Sequence, residues 1–204
     1  MKKIEIYLKI LDIKRRLLML LNSDEYSYQR LYALYREYLQ LVVQIQNCIP
    51  SYKKWSYENN CYFYSLDLPT PNIFYHAASK LDDALFSTNV GNISGRDYLI
   101  DDNFCTDTIL EAMYADLDIL NIRYFPSAIN LPPKHNGYKI AIFVDEDGVD
   151  YHFARQNGNG KWSQKNGYCY EFYYGDNPMD LLNDEYSHYE YIKTLEIVKP
   201  TIKR

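Results

Sequence analysis

A cysteine and a histidine stand in local sequences that could activate them for nucleophilic chemistry. Cys61 follows two good helix-capping residues, Asn59 and Asn60, and precedes the apolar run YFYSL, so it is predicted to begin a short buried helix. Free N–H groups in its first turn would favour the thiolate and could hold an oxyanion, with an amide of Asn59 or Asn60 as second donor. This context predicts a nucleophile at Cys61, the alternative being a small buried cysteine.

The histidine lies in VDYHFARQ, the second strand of a series predicted after residue 126. Alternation along this strand puts His152 on a face with Asp150, Ala154 and Gln156, the smaller and more polar face. A strand is a rigid mount for a general base, so His152 is the predicted partner of Cys61. An exposed strand histidine would show the same pattern.

A third side chain normally orients the imidazole of such a pair by accepting from its second nitrogen. A two-residue turn in NGNG would place Lys165 opposite His152, whereas a single bulge at the glycines would place Gln164 there. We predict Gln164, because its amide oxygen can accept a hydrogen bond; an ordinary surface glutamine is the alternative. Three nearby positions remain open as alternatives: Asp150, Gln156 and Glu171.

The two stretches NCYFYSL and DYHFARQ, the latter followed by GKWSQKNG, resemble a group of bacterial proteins with NCYxYAL and DYHxYRQxxxGxWSHKxG elements. Their order, a cysteine at a helix start and then a histidine on a strand hairpin, is similar to the papain-like superfamily and especially its CHAP-type amidases. The resemblance implies a cysteine nucleophile and a histidine base within residues 55 to 170. Gln164 stands where the group has histidine, and Ala154 where it has tyrosine.

The function expected from this pair is a thiol hydrolase, a protease or amidase, that cleaves a peptide or isopeptide bond in a protein or peptide substrate. We expect an aromatic-lined groove in which Asn59, Asn60, Tyr151 and Trp162 contact the substrate. The same pair would also serve an acyltransferase of transglutaminase type. A non-catalytic module that binds a protein partner is the third possibility.

Composition and motifs exclude other classes. The net charge of −5 argues against a nucleic-acid-binding surface. There is no GxxxxGK[ST], no GxGxxG after a strand and no GxSxG, so neither a nucleotide site nor a serine nucleophile is predicted. No histidine pair has metal-helix spacing, and the sequence predicts neither a metal nor a cofactor.

Location follows from the cysteines and the N-terminus. The four cysteines, Cys48, Cys61, Cys105 and Cys169, form no CxxC pair and fit a reducing compartment. Charges interrupt every early apolar run, so neither a signal peptide nor a membrane segment is expected. We expect a cytoplasmic protein, or an effector or toxin delivered to a host or target cell by a signal not visible in the sequence.

Helical patterns dominate the first half of the chain. Ile4, Leu8, Leu11, Leu18 and Leu21 predict one helix, and residues 25 to 46 a second, forming a hairpin over residues 1–49 that could bind a protein partner. A third long helix is predicted over TILEAMYADLDIL, capped by Thr106 or Asp107.

Strand patterns dominate the second half. Runs at YKIAIFV, VDYHFARQ, KWSQKNG and YCYEFYY predict four antiparallel strands, and YIKTLEIVKP an edge strand. Helices followed by antiparallel strands indicate an α+β fold, with a papain-like domain over residues 50–204.

Overall fold

The computed structural model describes residues 3–21, 27–46, 61–68, 89–96, 104–147, 150–165, 171–183 and 187–200. These residues form an α+β fold, as the element order predicted. The helices are α1 (Lys3–Leu21), α2 (Tyr28–Ile45), α3 (Cys61–Ser65) and α4 (Thr106–Ile119), with a 3₁₀ helix at Pro178–Asn183. The strands are β1 (Arg123–Ser127), β2 (Tyr138–Asp145), β3 (Tyr151–Gln156), β4 (Trp162–Lys165), β5 (Glu171–Gly175) and β6 (Tyr189–Val198).

The strands form one antiparallel sheet in the order β1-β6-β2-β3-β4-β5. The prediction that the last strand lies at an edge is wrong, because β6 pairs with both β1 and β2. Strand β1 itself was not predicted, since Pro126 interrupts it. A proline without an N–H is tolerated on an edge strand, and β1 occupies that position.

The two faces of the sheet bury different clusters. Helices cover one face, where the main core includes Tyr62 and Phe63 of α3 together with Ile140, Ile142 and Phe153. On the opposite face a smaller cluster packs under the 3₁₀ helix; its buried members are Ala141, Phe143, Ala154, Trp162, Leu181 and Tyr189. Since side chains alternate along a strand, β3 contributes Tyr151 and Phe153 to the first face and His152 and Ala154 to the second.

Helices α1 and α2 pack on each other as the predicted hairpin and share the main core with the sheet. The α2 stripe is buried as predicted: Leu31, Leu34, Tyr35, Tyr38, Leu41 and Val42. On α1, however, the buried stripe is Ile6, Ile10, Ile13 and Leu17. Of the residues that predicted this helix, Ile4, Leu8, Leu11 and Leu18 instead lie on its exposed side.

Helix α4 buries most of its predicted stripe, since Ile109, Met113, Leu117 and Leu120 have no exposed surface. The predicted cap residues are wrong by one position or two. Cys105 is the N-cap, and its N–H donates to the hydroxyl of Thr108 at 3.1 Å.

The turn between β3 and β4 differs from both predicted registers. Gly160 donates its N–H to Asn157 at 2.9 Å and has φ +83°, which makes a three-residue loop with the last glycine in the left-handed region. Gln164 therefore faces Ala154, two residues from His152, instead of His152 itself.

Candidate active site

Cys61 begins α3, as predicted, and its sulfur lies against the backbone of β3. The sulfur is 3.9 Å from the carbonyl oxygen of Tyr151, and the backbone N–H of Phe153 also interacts with it. These two groups belong to the residues immediately before and after His152. The structure thus brings the Cys61 sulfur against the backbone on either side of His152, although about ninety positions separate the two residues in sequence.

The sulfur takes this position at the open end of a strand ladder. Asn157 donates its N–H to Lys161 of the hairpin, so its backbone faces β4. Every second residue of a strand points the same way, which directs the Phe153 N–H and the Tyr151 carbonyl toward β4 as well. Among the described residues the β3–β4 ladder covers only Ala154–Gln156, so the sulfur meets β3 where that ladder has ended.

Burial dominates the electrostatics of the thiol. Cys61 is only 6% exposed, and this desolvation raises the pKa of its thiol to about 12. The N–H groups of Phe153 and Tyr62 and the charge of Lys165 lower that pKa, whereas Asp150 raises it further. The resting state of Cys61 at neutral pH is therefore the thiol.

His152 is equally enclosed, at 3% exposure, on the face of the sheet opposite α3. Its ring meets that of Tyr189 edge-on, with the centroids 6.2 Å apart. Desolvation lowers the pKa of His152 to about 4, while Gln164 and Asp150 act in the opposite direction. The imidazole is thus neutral at physiological pH, which is the state that a general base requires.

Gln164 reaches His152 diagonally across the β3–β4 pair, since residues two positions out of register still share a face. Its side chain favours the protonated imidazole. Among the described residues, however, the buried Oε1 of Gln164 accepts no hydrogen bond of standard geometry. Gln164 thus influences the imidazole, but the acceptor contact predicted for its amide oxygen is not formed among the described residues.

Asp150 and Tyr189 complete the polar surroundings of the imidazole. The Tyr189 hydroxyl donates to Oδ2 of Asp150 at 2.5 Å, and the Tyr151 N–H donates to Oδ1 at 2.7 Å. Asp150 raises the pKa of both His152 and Cys61. It was one of the alternative orienting residues, whereas Tyr189 was missed because it enters the site from β6, with β2 lying between that strand and β3.

The other predicted contact residues divide into three groups. Tyr151 lies beside the site, with its hydroxyl accepting the Val90 N–H at 3.1 Å. Trp162 is completely buried in the second cluster, beneath Lys139 at 5.4 Å from its ring, so it lines no open groove. Asn59 and Asn60 lie outside the described residues.

A buried carboxylate that the sequence analysis did not single out holds a loop over this region. Asp116 of α4 accepts N–H groups from Gly91 at 2.8 Å and Ser94 at 2.6 Å, and the hydroxyl of Tyr62 at 3.2 Å. Burial raises its pKa to about 6, against the effect of these donors. The sequence feature that could have identified Asp116 is its position as an acidic residue within the apolar stripe of α4.

An ionic cluster fixes the other end of α3. Arg155 contacts the Tyr64 carbonyl at 2.9 Å and Asp67 at 3.5 Å, and Lys199 contacts Asp67 at 3.2 Å. Lys199 also reaches Gln46 at the end of α2, at 2.8 Å. Because all three charges are buried, loss of any one partner would leave an uncompensated charge. The cluster holds α3 against β3 and thereby places Cys61.

Other kinds of site are not formed by the part of the chain described. No group of three or more histidine, cysteine or acidic side chains there could hold a metal ion. In the same residues, no helix combines the length and apolarity needed to cross a bilayer.

Comparison with other proteins adds no assignment. No protein-family model matches the chain, and neither curated proteins nor solved structures give a match.

Proposed function

We propose that this protein is a cysteine-dependent hydrolase with papain-like chemistry, acting on a peptide or isopeptide bond. The observation that carries the proposal is the position of the Cys61 sulfur between the Tyr151 carbonyl and the Phe153 N–H, the backbone groups on either side of His152. The helix start at Cys61 thus contacts the backbone of the strand that carries His152, while the ring of His152 lies on the opposite face of the sheet.

The reaction would begin from a neutral thiol and a neutral imidazole. His152 takes the thiol proton as the Cys61 sulfur attacks the carbonyl carbon, and the resulting imidazolium gives that proton to the departing amine. Water then attacks the thioester, which restores the thiol and releases the acid. Because the resting pKa values favour the neutral pair, proton transfer has to accompany the attack.

Charges around the imidazole suit its transient protonation. Gln164 and Asp150 both favour the imidazolium, and Lys165 favours the thiolate. The backbone N–H of Tyr62, in the first turn of α3, is directed toward the sulfur and is the described candidate for an oxyanion donor.

A non-catalytic protein-binding module is the second candidate. Burial of both Cys61 and His152 favours it, since a substrate carbonyl must reach the sulfur. An acyltransferase that uses the same pair would differ only in the amine or alcohol that accepts the acyl group.

A library of proteome-derived peptides with all amines blocked provides the test, because each hydrolysed amide then creates one new amine. We expect new amines with the wild-type protein and with Cys105→Ala. Loss of at least two orders of magnitude in rate is expected for Cys61→Ala and His152→Ala, in line with the usual contribution of such groups.

Equal product from wild type and Cys61→Ala, or none from either, would contradict the hydrolase. Peptides that gain the mass of an added amine, instead of being cleaved, would indicate acyl transfer.

A further inference from the structure

Helix α1 carries two apolar stripes, of which α2 covers one. Ile6, Ile10, Ile13 and Leu17 are buried against the core. A second apolar set lies about 200° around the helix from this buried stripe. Its members follow the same alternating spacing of four and three residues: Ile4, Leu8, Leu11 and Leu18. Together with Tyr7 and Met19, these side chains remain 48% to 66% exposed. We call these six residues the outer stripe.

A helix that is apolar on opposite sides is typical of an interior helix in a bundle, with neighbours on both sides. The 4-3 spacing of the outer stripe is the seam that coiled-coil packing uses. Arg15 occupies the position between Leu11 and Leu18 in this spacing, and its guanidinium lies 3.2 Å from Asp12 of the same helix.

We propose that the outer stripe is a dimer interface, on which α1 of a second copy packs antiparallel. The two hairpins then form a layer of four helices in the order α2, α1, α1 and α2, with a two-fold axis near Leu11. In this arrangement Ile4 of one copy faces Leu18 of the other.

Charges along the border of the outer stripe favour self-association in this direction. Glu5, Lys9, Asp12 and Arg16 follow one another along that border with alternating sign. Antiparallel pairing about Leu11 brings Lys9 within one residue of the position opposite Asp12 of the second copy, and Glu5 within one residue of the position opposite Arg16. Parallel pairing would instead bring the two sets of Lys14, Arg15 and Arg16 side by side, which is repulsive.

The exposed area of the outer stripe agrees with a small but specific dimer interface. The six side chains expose on the order of 600 Å² per copy, near the upper end for a patch on a monomer and below the roughly 800 Å² per partner of standard interfaces. A reversible dimer is therefore expected. The alternating charges along the border favour a second copy of the chain over a membrane surface as the binding partner. At a membrane, the carboxylates of Glu5 and Asp12 would lie next to anionic headgroups and be repelled.

Sedimentation velocity over a range of protein concentrations tests the proposal. We expect the wild type to shift from 24.3 kDa toward twice that mass as concentration rises. Leu8→Glu combined with Leu11→Glu should remain monomeric. Leu131→Glu, an equally drastic change at an exposed loop leucine, should dimerise like the wild type.

Charge exchange at one contact identifies the register and does not disturb the apolar stripe. Asp12→Lys and Lys9→Asp each put like charges across the interface, so each alone should dimerise several-fold more weakly than wild type. Mixed together, they restore opposite charges at both contacts and should form a heterodimer.

A wild type that stays monomeric to several hundred micromolar overturns the proposal, as does a dimer insensitive to the Leu8 and Leu11 changes. A mixture of the two charge variants with no recovery overturns the antiparallel register. Monomeric protein that cosediments with vesicles of phosphatidylcholine and phosphatidylserine, and loses this on Leu8→Glu, assigns the outer stripe to a membrane instead.

Discussion

The sulfur of Cys61 lies 3.9 Å from the carbonyl oxygen of Tyr151, beyond the last described residue pair of the β3–β4 ladder. A residue from the start of α3 thus contacts the backbone of β3 on either side of His152. The contact protects the thiol in two ways, since it buries the sulfur and offers its S–H a carbonyl acceptor. Both effects bear on how the protein's cysteines react.

Cys105 should be alkylated before Cys61 by iodoacetamide at neutral pH. Hydrogen bonds from the backbone N–H and the side chain of Thr108 lower the pKa of Cys105, which is partly exposed, whereas burial raises that of Cys61 to about 12. Peptide mapping by mass spectrometry gives the two rates. Faster labelling of Cys61 would show that the thiol is activated in the resting protein.

Gln164→Glu should raise the pKa of His152 by one unit or more, because a carboxylate replaces a neutral amide that already favours the imidazolium. The matched control is Gln156→Glu, on the same sheet face but bonded to the Gly160 carbonyl at the hairpin. Histidine chemical shifts followed against pH measure the effect. Equal shifts in both variants would mean that Gln164 does not contact the imidazole.

His152 should make the protein less stable in acid. Its pKa falls from 6.5 to about 4 on folding, so only the unfolded chain takes up the proton between these values. The stabilisation that comes from a neutral His152 is therefore fully present above pH 6.5. It is lost as the pH falls toward 4, and the free energy of unfolding decreases by on the order of 3 kcal/mol over this window.

His152→Asn should accordingly flatten the dependence of unfolding free energy on pH in this window, as measured by urea denaturation. Asp116 has the opposite sign, because its pKa rises from 3.8 to about 6 on folding and its protonation stabilises the fold in acid. That term is common to wild type and variant, so it cancels in the comparison. Parallel curves for the two proteins would contradict the assignment to His152.

Gly137→Ala should cost about 3 kcal/mol or more in unfolding free energy, because a Cβ there would collide with the Ile197 carbonyl on β6. Gly160→Ala meets no atom within 4 Å but has φ +83°, so about 1 kcal/mol is expected. Thermal and urea unfolding of the two variants measure the loss of unfolding free energy from the steric collision at Gly137 and from the backbone strain at Gly160. Equal losses would show that the collision is relieved by local movement.

Local pattern was sufficient for most elements of the fold. Helical periodicity predicted α1, α2 and α4, and strand-like runs predicted β2 and β3, because each signal depends on residues only a few positions apart. Strand β1 was not predicted because it contains Pro126. A proline is tolerated in a strand only at the edge of a sheet, and edge position cannot be read from local sequence. The interior position of β6 was equally hidden, because strand order is a matter of long-range pairing.

For the candidate site, sequence alone predicted the two candidate side chains and determined the elements that carry them, a helix start at Cys61 and a strand at His152. Tertiary structure decided what surrounds them. It placed the sulfur at the end of the β3–β4 ladder, turned Gln164 to a diagonal position through one additional loop residue, and brought Tyr189 to Asp150.

The same division applies to α1. Its sequence predicted a helix from the spacing of Ile4, Leu8, Leu11 and Leu18, but only packing decided that Ile6 and its stripe face α2 while Leu8 and Leu11 face outward. Periodicity identifies the apolar faces of a helix; which face is buried depends on neighbours that are distant in sequence, and their contacts leave no local signature.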